Sequence, residues 1–146
     1  MKKIIILFIF LNIILSCSKE NETTNPIVGE WKLTNIKNSY GEEIATPCEI
    51  EFNKFILKNN KIFIWKSGVF YDFGGGCTEY INQPYKWEIR NDSLFLTNNN
   101  DSKTIFRISL NNNVLKSKLL GFIEPNGLSQ FVSDESLISE YWYSKN

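Results

Sequence analysis

From Ile27 to Tyr143 the chain runs in short stretches of alternating apolar and polar residues, separated by turn residues. Tyr85, Trp87 and Ile89 share one side of a stretch whose other side is Lys86, Glu88 and Arg90. Phe106, Ile108 and Leu110 oppose Arg107 and Ser109, and Ile50 and Phe52 oppose Glu49 and Glu51. Successive side chains of a strand point to opposite faces, so this period of two predicts antiparallel strands with one face on a core and one in water. Breaks fall at Asn59-Asn60, Ser67-Gly68, Gly74-Gly75-Gly76, Gln83-Pro84, Asn91-Asp92, Asn98–Asp101, Asn111–Asn113 and Pro125-Asn126-Gly127. Asn and Gly accept the positive φ that tight turns need. Strands are predicted over 28–36, 48–57, 61–66, 69–73, 84–90, 93–97, 104–110, 114–120 and 138–144. One helical turn is expected within 133–139, capped by Ser133 or Asp134. Short strands at near-regular spacing predict an all-β sandwich or barrel.

The N-terminal pattern is different. Lys2 and Lys3 precede an apolar run over 4–15, interrupted only by Asn12. A membrane-spanning helix needs about 20 apolar residues. This run is shorter and has the layout of a secretory signal, expected over residues 1–16. Ile14-Leu15-Ser16-Cys17 resembles the lipobox of bacterial lipoproteins. The resemblance implies that the signal is removed and that Cys17 is acylated and held in a lipid bilayer. Two acyl chains make such an anchor stable. Residues 17–26 then form the lipidated Cys and a polar tether with almost nothing to bury, and 27–146 the folded domain. Cys17-Ser18-Lys19-Glu20-Asn21-Glu22 also resembles, in part, a surface-export signal of some Gram-negative lipoproteins. The expected location is therefore the bacterial cell envelope, anchored in the outer membrane on its periplasmic or cell-surface side.

Loss of the signal removes Lys2 and Lys3 and leaves two more acidic than basic residues. This balance offers no basic stripe for nucleic acid. The chain has no His, which removes the commonest general base and metal ligand. Besides Cys17 only Cys48 and Cys77 remain. In an oxidising compartment they are most simply one disulfide. A zinc site would want four ligands, and a nucleophilic Cys would lack an imidazole partner.

Ile27-Val28-Gly29-Glu30-Trp31 stands where the first strand begins. A Gly-x-Trp there, followed by eight or so short strands, resembles the lipocalins, and especially small bacterial lipocalin-like lipoproteins. The resemblance covers roughly 27–144. It implies a small antiparallel up-and-down β-barrel of about 8–9 strands, with Gly29 bending the chain into the first strand and Trp31 closing the narrow end. In that family an Arg near the final strand packs across the Trp; Arg107 is the only late Arg here.

Phe70-Tyr71-Asp72-Phe73-Gly74-Gly75-Gly76-Cys77 lacks the Gly-Lys-Ser/Thr ending of a phosphate loop. It reads as a turn pinned at Cys77. Phe70, Tyr71 and Phe73, with Tyr85 and Trp87, are candidates for the lip of a ligand cavity at a barrel mouth. The acidic pairs Glu42-Glu43 and Asp134-Glu135 read as solvated surface, not as a glycosidase pair. Asn98–Asp101 lacks the spacing of a calcium loop and reads as a hairpin turn. The principal expectation is a non-catalytic binding module for a small apolar ligand, without cofactor. The alternative is a protein–protein interaction or inhibitor module of the envelope.

Overall fold

The computed structural model describes residues 25–71, 76–134 and 138–146. Among these residues, ten strands and one short helix follow in order: β1 (Gly29–Lys37), α1 (Pro47–Phe52), β2 (Lys54–Leu57), β3 (Ile62–Tyr71), β4 (Gly76–Ile81), β5 (Tyr85–Arg90), β6 (Ser93–Thr97), β7 (Lys103–Asn111), β8 (Val114–Ile123), β9 (Ser129–Phe131) and β10 (Glu140–Lys145). Neighbours pair antiparallel in the order β1-β2-β3-β5-β6-β7-β8, and β10 closes the ring by pairing with both β8 and β1. The result is an eight-stranded up-and-down barrel, with β4 and β9 as extensions outside the ring. Closure removes most of the unpaired sheet edge.

Local chemistry makes the turns. Asn112 and Asn113 both take positive φ (47° and 62°) in the β7–β8 hairpin, the pairing-compatible twist of a two-residue turn. In the β6–β7 turn Asp101 takes φ 62°, and Asn98 Oδ1 accepts from the backbone N–H of Asn100 and Ser102. Residues 98–101 are thus a self-capped hairpin turn.

The core is the alternating set facing inward. Trp31, Leu33 and Ile36 of β1 meet Phe55 and Leu57 of β2, Phe63 of β3, Trp87 of β5, Leu94 and Leu96 of β6, Leu115 of β8 and Tyr143 of β10. Phe55 stands edge-on to Tyr143 at 4.6 Å and stacks on Phe63 at 5.5 Å.

The structure departs from the predicted elements at several places. The strand expected over 48–57 is half helix. Thr46 Oγ1 accepts from Glu49 N–H at 3.2 Å, and Glu49 Oε2 accepts from Thr46 N–H at 2.8 Å. This reciprocal cap, with Pro47 in the first turn, overrides the short alternation of Glu49–Phe52. Only Lys54–Leu57 remains strand. Next to the last β1–β2 pair, Leu33 N–H donates to Asn53 O, so α1 stands where β2 would have continued. The break expected at Ser67-Gly68 is absent, and β3 runs through it. Gly68 serves a close approach instead. A Cβ there would lie 2.5 Å from the Cys48 carbonyl oxygen, and Gly68 N–H donates to the buried Asn53 Oδ1 at 2.6 Å. Finally, β4 and β9 occupy stretches expected to be loop. The expected helical turn within 133–139 includes 135–137, which lie outside the described residues; 133, 134, 138 and 139 are not helical.

β4 and β5 run along the same edge of β3. Lys66 faces Ile81 and Phe63 faces Tyr85, three positions on β3 against four on the other chain. One extra residue is therefore bulged out around Asn82-Gln83-Pro84. Pro84 fits there because it has no N–H to give to a ladder.

A closed end and an open end of the barrel

At one end the barrel is sealed. Trp31 is fully buried, and its Nε1 donates to Ile27 O at 2.7 Å. Trp87 is buried in the same core, with Nε1 donating to Lys58 O at 3.1 Å and Lys61 Nζ over the ring at 4.1 Å. Gly29 has φ 142°, and a Cβ there would meet Lys145 Cε at 2.8 Å. Lys145 Nζ lies 5.5 Å from the Trp31 ring centre and donates to Pro26 O. The cation across Trp31 is thus a Lys from β10. A search for a late Arg alone misses it.

The other end carries the β1–α1 loop, α1, the β3–β4 and β8–β9 hairpins and the β6–β7 turn. Here lie most of the exposed large apolar side chains: Tyr40, Ile44, Ile50, Val69, Tyr80, Ile81, Phe122, Leu128, Phe131 and Val132, with Leu110 the exception. Between the ends lies an interior cavity of about 30 Å³, walled by Phe55, Phe63, Trp65, Leu94, Leu96, Phe106, Ile108, Leu115, Tyr143 and Ser117. Pockets that enclose a drug-sized ligand span roughly 300–1,000 Å³. The interior is therefore filled largely by its own aromatic side chains, and the space that remains is small and mostly apolar.

Residues 27–117, more than half of the chain, match the lipocalin-like domain family. The chain belongs to that family. No curated protein matches the lipocalin-like chain in sequence. Among solved structures, a bovine odorant-binding protein complexed with its natural ligand is similar to it, with 15% identity, 81% of this chain and 70% of that one covered, and a TM-score of 0.40.

The lipocalin-like barrel sorts the residues singled out from sequence. Gly29 and Trp31 sit together at the sealed end. Cys48 of α1 and Cys77 of β4 form a disulfide, their Cα atoms 5.6 Å apart. Tyr85 packs edge-on against Phe63 at 6.1 Å, and Trp87 belongs to the sealed end; neither walls the cavity. The backbones of Phe70 and Tyr71 lie in β3. Cys17 and Phe73 lie outside the described residues. Trp65, Phe106 and Ile108 wall the cavity, and the alternation within 61–66 and 104–110 is the signal in the sequence that places them inward.

Tyr143 has the most perturbed phenol. Burial pushes its pKa up, and the neighbouring Tyr141 and Glu49 push it further; Tyr141 is raised in the same way, chiefly by burial. A phenol raised in the folded state stays neutral there, while the unfolded chain ionises near pH 10. Stability is then full below about pH 10 and falls as the pH rises above it. Unfolding midpoints between pH 8 and 12 should drop, and Tyr143→Phe should flatten the decline. An equal decline in both proteins would count against Tyr143 as its source.

Proposed function

We propose that this protein is a lipid-anchored, non-catalytic binding module of the bacterial envelope that binds at the open end of its barrel. The observation that carries the reading is the largely apolar barrel interior, whose wall is aromatic and aliphatic apart from Ser117 and the Tyr143 phenol. Lipocalin-like domains generally bind small hydrophobic ligands, and this lumen offers shape and apolar surface. Its volume sets a limit on the occupant. The seat suits a slim group, such as the end of an alkyl chain, and anything larger has to displace Trp65 and Phe106, which are only partly buried against the core. The anchor is the acylated Cys17 implied by the lipobox. A second reading, a protein–protein module, is favoured by the exposed Tyr80, Ile81, Leu128 and Phe131.

The test uses the mature protein purified from envelopes. An apolar fluorescent probe should bind one-to-one and raise the unfolding midpoint with probe concentration, and Ser117→Leu should weaken binding at least tenfold. Absence of saturable binding would overturn the small-ligand reading and leave the second. In the same preparation Cys17 should carry acyl mass, and Cys17→Ala should leave the membrane fraction or stay unprocessed. A free Cys17 thiol in the wild type would overturn the anchoring.

A further inference from the structure

The wall of the barrel is uneven beside β4. The last pair between β5 and β6 is Lys86 with Thr97, after which β6 turns back through Asn98. The chain from Gly76 to Tyr85 continues past that point along β3. Among the described residues β4 pairs only with β3. Its other edge is therefore a row of backbone N–H and C=O groups about 20 Å long, from six residues at roughly 3.3 Å each. Five of its six residues are exposed. Tyr80 and Ile81 are 56% and 57% exposed, pointing to opposite faces of the strand. At the foot of the edge lies a groove of about 340 Å³ lined by Gln83, Pro84, Tyr85, Asn98, Asn99 and Asn100.

Proteins usually blunt such an edge with charge, Pro or a covering element. Here Glu79, the one charged residue on β4, is neutralised by Lys66 on β3, which also holds its carboxyl below the usual range. The strand is held in place by the Cys48–Cys77 disulfide. It is thus an anchored edge with apolar side chains on both faces.

We propose that the free edge of β4 is a docking site for an extended segment of a partner polypeptide, which adds a strand there and presents apolar residues opposite Tyr80 and Ile81. Only an extended chain satisfies a row of alternating backbone donors and acceptors; a lipid tail satisfies none. A second copy of this chain is disfavoured by geometry. Antiparallel β4–β4 pairing turns one barrel end-over-end relative to the other. The tether enters each barrel at the sealed end, where Pro26 and Ile27 meet Lys145 and Trp31. Two copies anchored to one membrane by about nine residues, at most roughly 30 Å of chain, would then point in opposite directions. Parallel in-register pairing keeps the orientation but sets Glu79 beside Glu79, an unfavourable cross-strand pair. The exclusion of a second copy rests on the anchoring proposed above. The free edge does not, and it stands whether or not the lumen takes a ligand.

The probe is a synthetic peptide carrying the β3 sequence Ile62–Tyr71 between flanking lysine pairs, because that alternation already fits β4. Added to the full-length protein, it should bind saturably and slow amide exchange within 76–81, and a scrambled peptide should not. The double variant Tyr80→Lys, Ile81→Lys should weaken binding at least tenfold with an unchanged circular dichroism spectrum. Leu110→Lys, an exposed apolar change at the other end, should leave it intact. Equal protection by the scrambled peptide, equal loss with Leu110→Lys, or no protection within 76–81 would overturn the proposal. So would slowed exchange within 76–81 that appears without peptide and tracks a dimer in sedimentation, since that assigns the edge to a second copy.

Discussion

Trp31→Ala should cost about 3–5 kcal/mol of folding stability, the range for emptying a large aromatic from a core. Every part of the Trp31 side chain is engaged. The ring is fully buried and stacks near Phe55, 6.4 Å between centres. Its Nε1 satisfies the Ile27 carbonyl, and its face carries Lys145. Truncation opens a cavity at the sealed end and releases the segment that enters β1. Domains of this size have roughly 5–15 kcal/mol in total, so the variant should be unfolded by far less urea than the wild type. Equilibrium urea unfolding of both proteins measures it. A loss below about 1 kcal/mol would mean that Trp31 does not close the barrel.

Removing the Cys48–Cys77 disulfide, by the paired change Cys48→Ala and Cys77→Ala, should cost about 3.5 kcal/mol. The bridge closes a loop with a sequence separation of 29 residues, and the chain-entropy estimate for such a loop gives this magnitude. For a domain of this size that corresponds to a fall in the thermal midpoint of roughly 10–15 °C. The loss should be concentrated at the open end. α1 occupies the place where β2 stops, and the bridge fastens it to β4. Amide exchange within 47–52 and 76–81 should quicken more than exchange around Trp31. Uniform quickening would show that the bridge stabilises the barrel as a whole, and an unchanged midpoint would show that α1 and β4 hold without it.

The barrel itself was legible in the sequence because its cause is local. Strands such as Tyr85–Arg90, Ser93–Thr97 and Lys103–Asn111 alternate because one face packs on the core and the other meets water, and periodicity reports that directly. β4 escaped the same reading for a physical reason. Thr78-Glu79-Tyr80-Ile81 is exposed on both faces, so nothing imposes alternation on it. α1 stands in a stretch whose alternation predicts a strand. Thr46-Pro47-Cys48-Glu49 has the spacing of a reciprocal helix cap, and that signal outweighs two alternating pairs.

The candidate site was only half legible. Which side chains face inward follows from strand period, and Phe106 with Ile108 could be placed that way. How much space they leave does not. The volume between opposing strands depends on the rotamers of residues far apart in sequence, such as Phe55, Trp65, Phe106 and Tyr143. The sequence alone therefore determined the all-β class, most of the strands and their faces and the simplest pairing, Cys48 with Cys77, while the lipocalin resemblance pointed to Gly29 and Trp31. Tertiary structure alone decided that Lys145 crosses Trp31, that the lumen is nearly full, and that among the described residues β4 has one edge unpaired. Each of these is set by which distant strands become neighbours and where the shorter one stops.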